Sequence, residues 1–269
     1  INFNADNTVA TNAGNVVING IETVTVNSVG KTGVANTITL TDDAAKSLVI
    51  TGDKALTVNF ATTFGSTTPA DATNGLGVST IDASAATGAV TITNTTAVKV
   101  AFNGLTIKGG TAGDSITLSH KATVDAGAGD DTITVSANGG TLTGGAGKDI
   151  FDVTAAKLGV TGNLTATSVI TNITDLTAGD TIKLVTGGTF NKTVVDVSLA
   201  TNIDGAINAA LAVANTANET AWFQYAGNTY VVQNDATEAT ATASDIIVKI
   251  NGLVDLTNST LTGADLVIA

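Results

Sequence analysis

The sequence predicts an all-β fold: a parallel β-helix or β-roll solenoid with a small C-terminal β-rich cap containing one helix. Thr, Val, Ile and Gly are abundant and there is a single Pro, which is typical of strands joined by many turns. Short runs of alternating apolar and polar residues recur before residue 155. Asn-Gly and Asp-Gly hairpin signals are absent between most runs, which favours stacked rungs over the alternative, an antiparallel sandwich.

Ten runs before residue 155 are predicted to be strands because they are short, rich in β-branched residues and bounded by turn residues. In chain order they are 21–26, 36–40, 47–51, 55–60, 89–93, 97–102, 105–109, 115–119, 131–136 and 149–153.

The pattern changes after residue 155. A further strand is predicted within 175–184, an Ala-rich amphipathic helix at 203–215, and two strands within 222–234 joined at 226–228. The tail after residue 244 is strand-like. The only Trp and both Tyr residues fall here and are expected in a cap core rather than on a sugar-stacking platform: Trp222, Tyr225 and Tyr230.

Charge and composition exclude several classes of function. The net charge is -12, every basic residue is Lys, and 20 of the 23 acidic residues are Asp. No basic patch exists to bind nucleic acid, and no apolar run approaches the ~20 residues of a membrane span. Without Cys, no disulfide or thiolate site is available. Because the chain begins at Ile1, a processed piece with an upstream region is expected.

Three segments approximate the nonapeptide G-G-x-G-x-D-x-U-x, where U is a large apolar residue: 109–117, 126–134 and 144–152. The third matches fully, whereas Ala112 and Ala126 replace glycines in the first two. Their aspartates are 17 and 18 residues apart, close to one full turn of a β-roll. The candidate metal ligands are Gly110, Ala112, Asp114, Gly127, Gly129, Asp131, Gly145, Gly147 and Asp149.

These residue types suit calcium. Glycines allow positive φ angles and leave carbonyls pointing outward, and carboxylate and carbonyl oxygens are the ligands that calcium prefers. Loops one turn apart stack about 4.7–4.9 Å apart, so an ion between two loops reaches both. We therefore expect at least two calcium ions, one in each gap between the three loops. The alternative is three Gly-Asp turns without metal. A phosphate loop is excluded because Asp149, not Ser or Thr, follows Gly147-Lys148.

The nonapeptides resemble the repeat-in-toxin (RTX) family, whose parallel β-rolls bind calcium and which leave Gram-negative cells by type I secretion. The segment 171–184 is similar to the one that follows such repeats, and 229–256 is similar to the C-terminal secretion region. The Thr/Ala-rich front half resembles RTX surface-layer proteins. The resemblance implies three parts: a β-solenoid at 1–105, an RTX-like calcium β-roll at 106–155, and a cap with the secretion signal at 156–269.

The leading functional hypothesis is a structural one. The resemblance implies an extracellular subunit of a calcium-dependent surface (S-) layer whose partners are identical subunits, with cell-surface polysaccharide bound through an upstream region. The alternative is the C-terminal part of a calcium-dependent RTX adhesin or of a secreted RTX enzyme.

An enzyme is not expected from this chain. The only His, His120, is expected to be a surface residue, and neither an H-E-x-x-H motif nor any Arg occurs. A Thr-rich ice-binding solenoid is disfavoured because Thr-x-Thr does not recur in the sequence at one fixed rung position.

Overall fold

The computed structural model describes residues 1–65, 78–93, 104–165 and 168–269, and most of its regular structure is β with one helix. The predicted strand at 97–102 lies outside the described residues. The chain divides into two compact units, which we call the first unit (1–134 with 144–147) and the second unit (135–143 with 148–269).

The first unit contains eleven strands among its described residues, and each pairs in parallel with the strand two places along the chain. The odd-numbered strands form one sheet in the order β1-β3-β5-β7-β9-β11, and the even-numbered strands form another in the order β2-β4-β6-β8-β10. Their bounds are β1 Thr11–Val17, β2 Thr23–Asn27, β3 Ala35–Asp42, β4 Ser47–Gly52, β5 Ala55–Phe64, β6 Thr80–Ala86, β7 Val90–Thr93, β8 Leu105–Lys108, β9 Ser115–Thr117, β10 Ala122–Asp125 and β11 Thr132–Thr134.

Alternation within each strand builds the core of the first unit. In β3, buried residues alternate with half-buried threonines, as the sequence predicts. The buried position is then repeated from strand to strand, because the register aligns Ile38, Val58, Ile92, Ile116 and Ile133 in one row. All five are at most 1% exposed, and burying each contributes about 1.5–3 kcal/mol.

The same register aligns the outward residues of the odd-numbered sheet into two rows. One row contains Thr37, Thr57, Thr91, Ser115 and Thr132. The other contains Thr39, Asn59, Thr93, Thr117 and Thr134, where Asn59 and Thr93 directly follow the aligned pair Val58 and Ile92. The expectation that Thr-x-Thr has no fixed position is therefore wrong. Strands that are unevenly spaced in sequence are brought into register by the sheet.

The second unit combines parallel and antiparallel pairs. Its strands follow the orders β12-β14-β18-β17-β16 and β13-β15-β20-β19. The pairs β12–β14, β14–β18 and β13–β15 are parallel, and the other pairs are antiparallel. The bounds are β12 Gly140–Thr143, β13 Ile150–Asp152, β14 Thr171–Ile173, β15 Thr181–Lys183, β16 Thr220–Tyr225, β17 Asn228–Gln233, β18 Ile246–Asn251, β19 Thr260–Thr262 and β20 Asp265–Val267.

The predicted helix is confirmed as α1, Ile203–Val213. Asn202 caps its N-terminus, where its Oδ1 accepts a hydrogen bond from the Gly205 N–H at 2.8 Å. The buried face of the helix packs into a core with β16 and β17, in which the rings of Phe223 and Tyr230 stack with centroids 5.0 Å apart. Such a stack contributes about 0.5–1.5 kcal/mol beyond the area that it buries.

The predicted aromatic hairpin is confirmed as β16 and β17, which pair antiparallel. Their turn places Ala226 at φ 48 and Gly227 at φ 76, so both turn residues are left-handed as a tight hairpin requires. Trp222 is 2% exposed, and its Nε1 donates to the Lys192 carbonyl at 3.1 Å. Trp222 and Tyr230 are therefore core residues, as expected. Among the described residues, no helix is long and apolar enough to cross a membrane.

Candidate metal-binding loops

The three Gly-Asp segments are loops that each connect an even-numbered strand to the next odd-numbered one. The first loop (109–114) joins β8 to β9, the second (126–131) joins β10 to β11, and the third (144–149) joins β12 to β13. The register pairs Thr132 with Ser115, so the second loop follows the first by one full repeat of 17 residues. Residues 144–147 of the third loop belong to the first unit, and Asp149 belongs to the second.

The second and third loops share one backbone conformation. Gly127 and Gly145 both have φ 100, while Gly129 and Gly147 have φ 116 and 141. These values lie where an L-residue is strained, which confirms the conformational role predicted for the four glycines. The first loop differs, because no residue in 109–114 has a positive φ. Ala112 occupies the place of the second left-handed glycine there, and the loop follows a different path.

The loops of the first unit approach each other at the backbone. The Ala146 N–H donates to the Gly127 carbonyl at 3.0 Å, and the Gly129 N–H donates to the Ala146 carbonyl at 2.8 Å. A methyl group on Gly145 would overlap the Gly127 carbonyl oxygen, and one on Gly147 would overlap that of Gly129. Glycine is therefore required for close approach as well as for φ.

Asp114 lies inside the first loop rather than on its surface. Its Oδ1 accepts from the Val90 N–H and its Oδ2 from the Gly110 N–H, both at 2.7 Å. Burial raises the pKa of Asp114 above its usual value, and the two backbone donors act in the opposite direction. This carboxylate holds backbone donors in place, so an ion at Asp114 competes with bonds already made.

The same contact recurs between aspartates. In the first unit, the buried Asp131 accepts from the backbone N–H of Asp114 through Oδ1 at 2.6 Å. In the second unit, Asp180 accepts from the backbone N–H of Asp149 at 3.0 Å and from the Thr177 N–H at 2.7 Å. A later aspartate therefore caps the amide of an earlier one in both units. These partners make Asp180 a turn-stabilising acceptor.

Asp130 is the exposed carboxylate of the second loop. Its Oδ1 lies 3.0 Å from the position that a Cβ of Gly147 would occupy, so it extends over the third loop. Asp130 is not among the predicted ligands, because the motif places the ligand at the following residue. The adjacent pair Asp130-Asp131 could have indicated it, because neighbouring residues face opposite ways. Asp131 is buried and Asp130 is exposed.

The donor chemistry of the second and third loops fits calcium, a hard cation that takes six to eight oxygen ligands. The Gly129 carbonyl oxygen and Asp130 Oδ1 both lie within 3.0 Å of the position that a Cβ of Gly147 would occupy. Within the described ranges, no group of three or more His, Cys, Asp or Glu side chains is placed to hold a metal. Any ion at these loops therefore depends mainly on backbone oxygens.

Another buried carboxylate lies in the second unit. Asp245 is fully buried, and it accepts from the Asp235 N–H at 2.9 Å and the Thr242 N–H at 2.7 Å. Burial, followed by the neighbouring Asp235 carboxylate, raises the pKa of Asp245 to about 6. Burial lowers the pKa of Lys157, and the nearby charges of Asp235 and Asp245 act in the opposite direction.

His120 does not extend any of these clusters. Its Nδ1 lies 2.8 Å from the Ser119 hydroxyl, and its side chain is partly exposed.

A comparison with protein-family models found no match, and a search of curated proteins found no relative of this chain.

Proposed function

We propose that the protein is a structural subunit of a calcium-dependent surface layer of a Gram-negative bacterium, exported by type I secretion. Calcium orders the glycine loops, and ordered subunits assemble with identical copies into a two-dimensional lattice. The observation that carries this proposal is the shared left-handed conformation at 127–129 and 145–147. A simple reversal of the chain needs neither two left-handed glycines nor the same pair again in the next loop.

The strand order supports a parallel β-solenoid as the scaffold. Within the first unit each described strand pairs in parallel with the one two places on, so two successive strands and their loops make one rung. In such a fold, loops on one edge repeat at the strand spacing of about 4.7–4.9 Å. That spacing allows one ion to contact oxygens from two loops.

The residues of these loops have two different roles. Asp114 and Asp131 accept backbone N–H groups and set the path of the loops. The Gly129 carbonyl and the exposed Asp130 carboxylate are the oxygens that we assign to the ion. A bound calcium ion supplies positive charge that links oxygens of neighbouring loops. Because binding favours only the folded chain, it adds RT ln(1 + [L]/Kd) to stability at each site.

The charge of the chain suits assembly outside the cell. A net charge of -12 repels like subunits and opposes compaction until cations are present. Extracellular calcium modules bind with dissociation constants of about 10⁻⁴–10⁻³ M, so their sites are filled outside the cell and empty in the cytosol. The proposed chain is therefore export-competent inside and assembly-competent outside.

Calcium titration of the purified chain, followed by circular dichroism and light scattering together, tests the proposal. We expect β-structure to increase and large ordered particles to appear. Asp130→Asn is expected to raise the calcium needed for both changes, whereas Asp6→Asn, at an exposed site away from the loops, is not. An unchanged, fully folded chain in chelator overturns the calcium role. Folding without particles replaces the lattice with the adhesin alternative.

A further inference from the structure

The odd-numbered sheet of the first unit carries an ordered surface that the proposed function does not use. Its two outward rows, which we call the threonine face, lie on β3, β5, β7, β9 and β11. Eight of the ten positions are Thr, and the others are Ser115 and Asn59. No charged side chain stands at any of these ten described positions.

The even-numbered sheet shows that this composition is not a general consequence of β-structure. Its first outward row is also hydroxylated: Thr23, Ser47, Thr80, Thr106 and Thr123. Its second row contains Thr25, Val49, Asp82, Lys108 and Asp125 in direct register. The same kind of strand therefore accepts charged and apolar residues at the equivalent position. Neither charged nor purely apolar residues occur at the ten positions of the threonine face, which spans five strands.

The face is regular in two directions. Adjacent strands of a sheet lie about 4.7–4.9 Å apart, and outward residues along a strand are separated by about 6.6–6.8 Å. No register shift interrupts the two rows between β3 and β11; the shift in β3 falls beyond them, between Leu40 and Asp42. The ten positions thus form an array with two fixed periods, and the inter-strand period is close to the spacing of water oxygens on a face of hexagonal ice.

Threonine side chains suit a solid water surface. Each presents a hydroxyl that replaces a water in a hydrogen-bonded layer and a methyl group that water encloses. The β-branched side chain is stiff at χ1, so little side-chain entropy is lost when the layer forms. Charged groups bind water in shells of their own geometry, and their exclusion from the face preserves the periodic layer.

We propose that the threonine face binds ice. The ligand is the surface of crystalline water rather than a sugar, because the ten positions contain no aromatic ring on which a pyranose would stack. The inference is independent of calcium-driven assembly, since it rests on β3 to β11 and not on the glycine loops.

Ice partitioning of the purified chain tests the proposal: protein is counted in slowly grown ice and in the remaining liquid, with calcium present. We expect the chain to concentrate in the ice. Thr91→Tyr places a bulky ring at the centre of the face and is expected to reduce the ice-bound fraction at least about tenfold. The matched control is Thr106→Tyr, at the first outward row of the even-numbered sheet, and it is expected to bind ice like the parent chain.

Circular dichroism of each variant separates loss of binding from loss of folding. Thr117→Lys, which adds a charge to the second row, provides a second test if Thr91→Tyr does not fold. Exclusion of the parent chain from ice overturns the proposal, as does equal binding by the folded face and control variants. If Thr91→Tyr instead abolishes particle formation while ice is never bound, the face is a contact between copies and the ice proposal is wrong. Calcium titration is scored separately, so failure of one proposal does not imply failure of the other.

Discussion

The two compact units achieve stability in different ways. The first unit aligns one aliphatic residue per strand in rows and brings its loops together at backbone distance, where an added methyl group overlaps a carbonyl. The second unit buries aromatic rings between a helix and an antiparallel hairpin. The first unit is therefore sensitive to added atoms in its loops, and the second to removed atoms in its core.

The largest expected effect is the removal of an aromatic ring from the second unit. Phe223→Ala leaves a cavity beside the stacked Tyr230 ring and is expected to lower the free energy of unfolding by about 3–5 kcal/mol. Urea denaturation followed by fluorescence of Trp222, which lies in the same unit, measures the loss. Leu199→Ala, at a side chain that is 95% exposed, is the control and should change it by less than about 0.5 kcal/mol.

An added atom provides the corresponding test of the first unit. Gly145→Ala combines a positive φ with an overlap on the Gly127 carbonyl and is expected to cost about 3 kcal/mol. Gly33→Ala is the matched control, since Gly33 also has a positive φ, 83, but nothing lies within 4 Å of its added Cβ. That variant should cost about 1 kcal/mol. Denaturation followed by circular dichroism measures the loss of unfolding free energy in each variant. Equal losses would show that the positive φ, and not the close approach of the loops, is what requires glycine.

A pH dependence distinguishes the second unit further. The folded pKa of Asp245 is about 6, above its ordinary value of 3.8, so the folded chain holds this proton more tightly than the unfolded chain. The contribution of Asp245 to stability is therefore full below about pH 4 and is lost as pH rises to about 6. At 1.36 kcal/mol per unit, a rise from 3.8 to about 6 corresponds to a loss of about 3 kcal/mol.

Denaturation midpoints measured from pH 4 to pH 7 check this expectation. The parent chain should lose stability over that window relative to Asp245→Asn, which cannot titrate. Lys157 and Asp235 are present in both proteins, so the comparison changes only the Asp245 carboxyl group. Parallel pH profiles for the two proteins would contradict the assignment.

The smallest effect is expected for the capping carboxylate of the first loop. Asp114→Asn keeps one acceptor oxygen but turns an N–H₂ group toward one of the two backbone donors, Val90 or Gly110. The loss of one buried hydrogen bond should cost about 1–2 kcal/mol. Asp53→Asn, at an exposed ion pair with Lys54, serves as the control and should be nearly neutral. A loss no larger than that of the control would mean that the first loop holds its path without Asp114.

Local pattern predicted much of the fold. Alternating β-branched runs correctly indicated β3, β4 and β8, and Ala-rich periodicity indicated α1. Strands such as β6, β10 and β12 went unrecognised because Ala, Ser and Gly dilute their β-propensity. They are strands because neighbours in the sheet supply their hydrogen bonds. That information lies in the register and not in the segment itself.

The candidate site was predictable to a similar degree. The spacing of Asp114 and Asp131 correctly indicated one repeat, and the glycines at 127 and 145 have the predicted conformation. The inward direction of the aspartates was not predictable, because a carboxylate suits a cation and a row of backbone N–H groups equally well. The periodic Thr-x-Thr rows were missed because loops of unequal length separate the strands that carry them.

The parallel order of strands two places apart also bears on how such a chain changes in evolution. From β8 to β10, and again from β9 to β11, the partner residue is 17 positions later. Duplication or deletion of one such block would join strands that already have matching neighbours, so length can change by whole rungs without a new core. The glycine loops restrict where this occurs, since a duplicated block must bring loops whose backbones tolerate contact. Selection can therefore change the surface area of such a protein by one rung at a time.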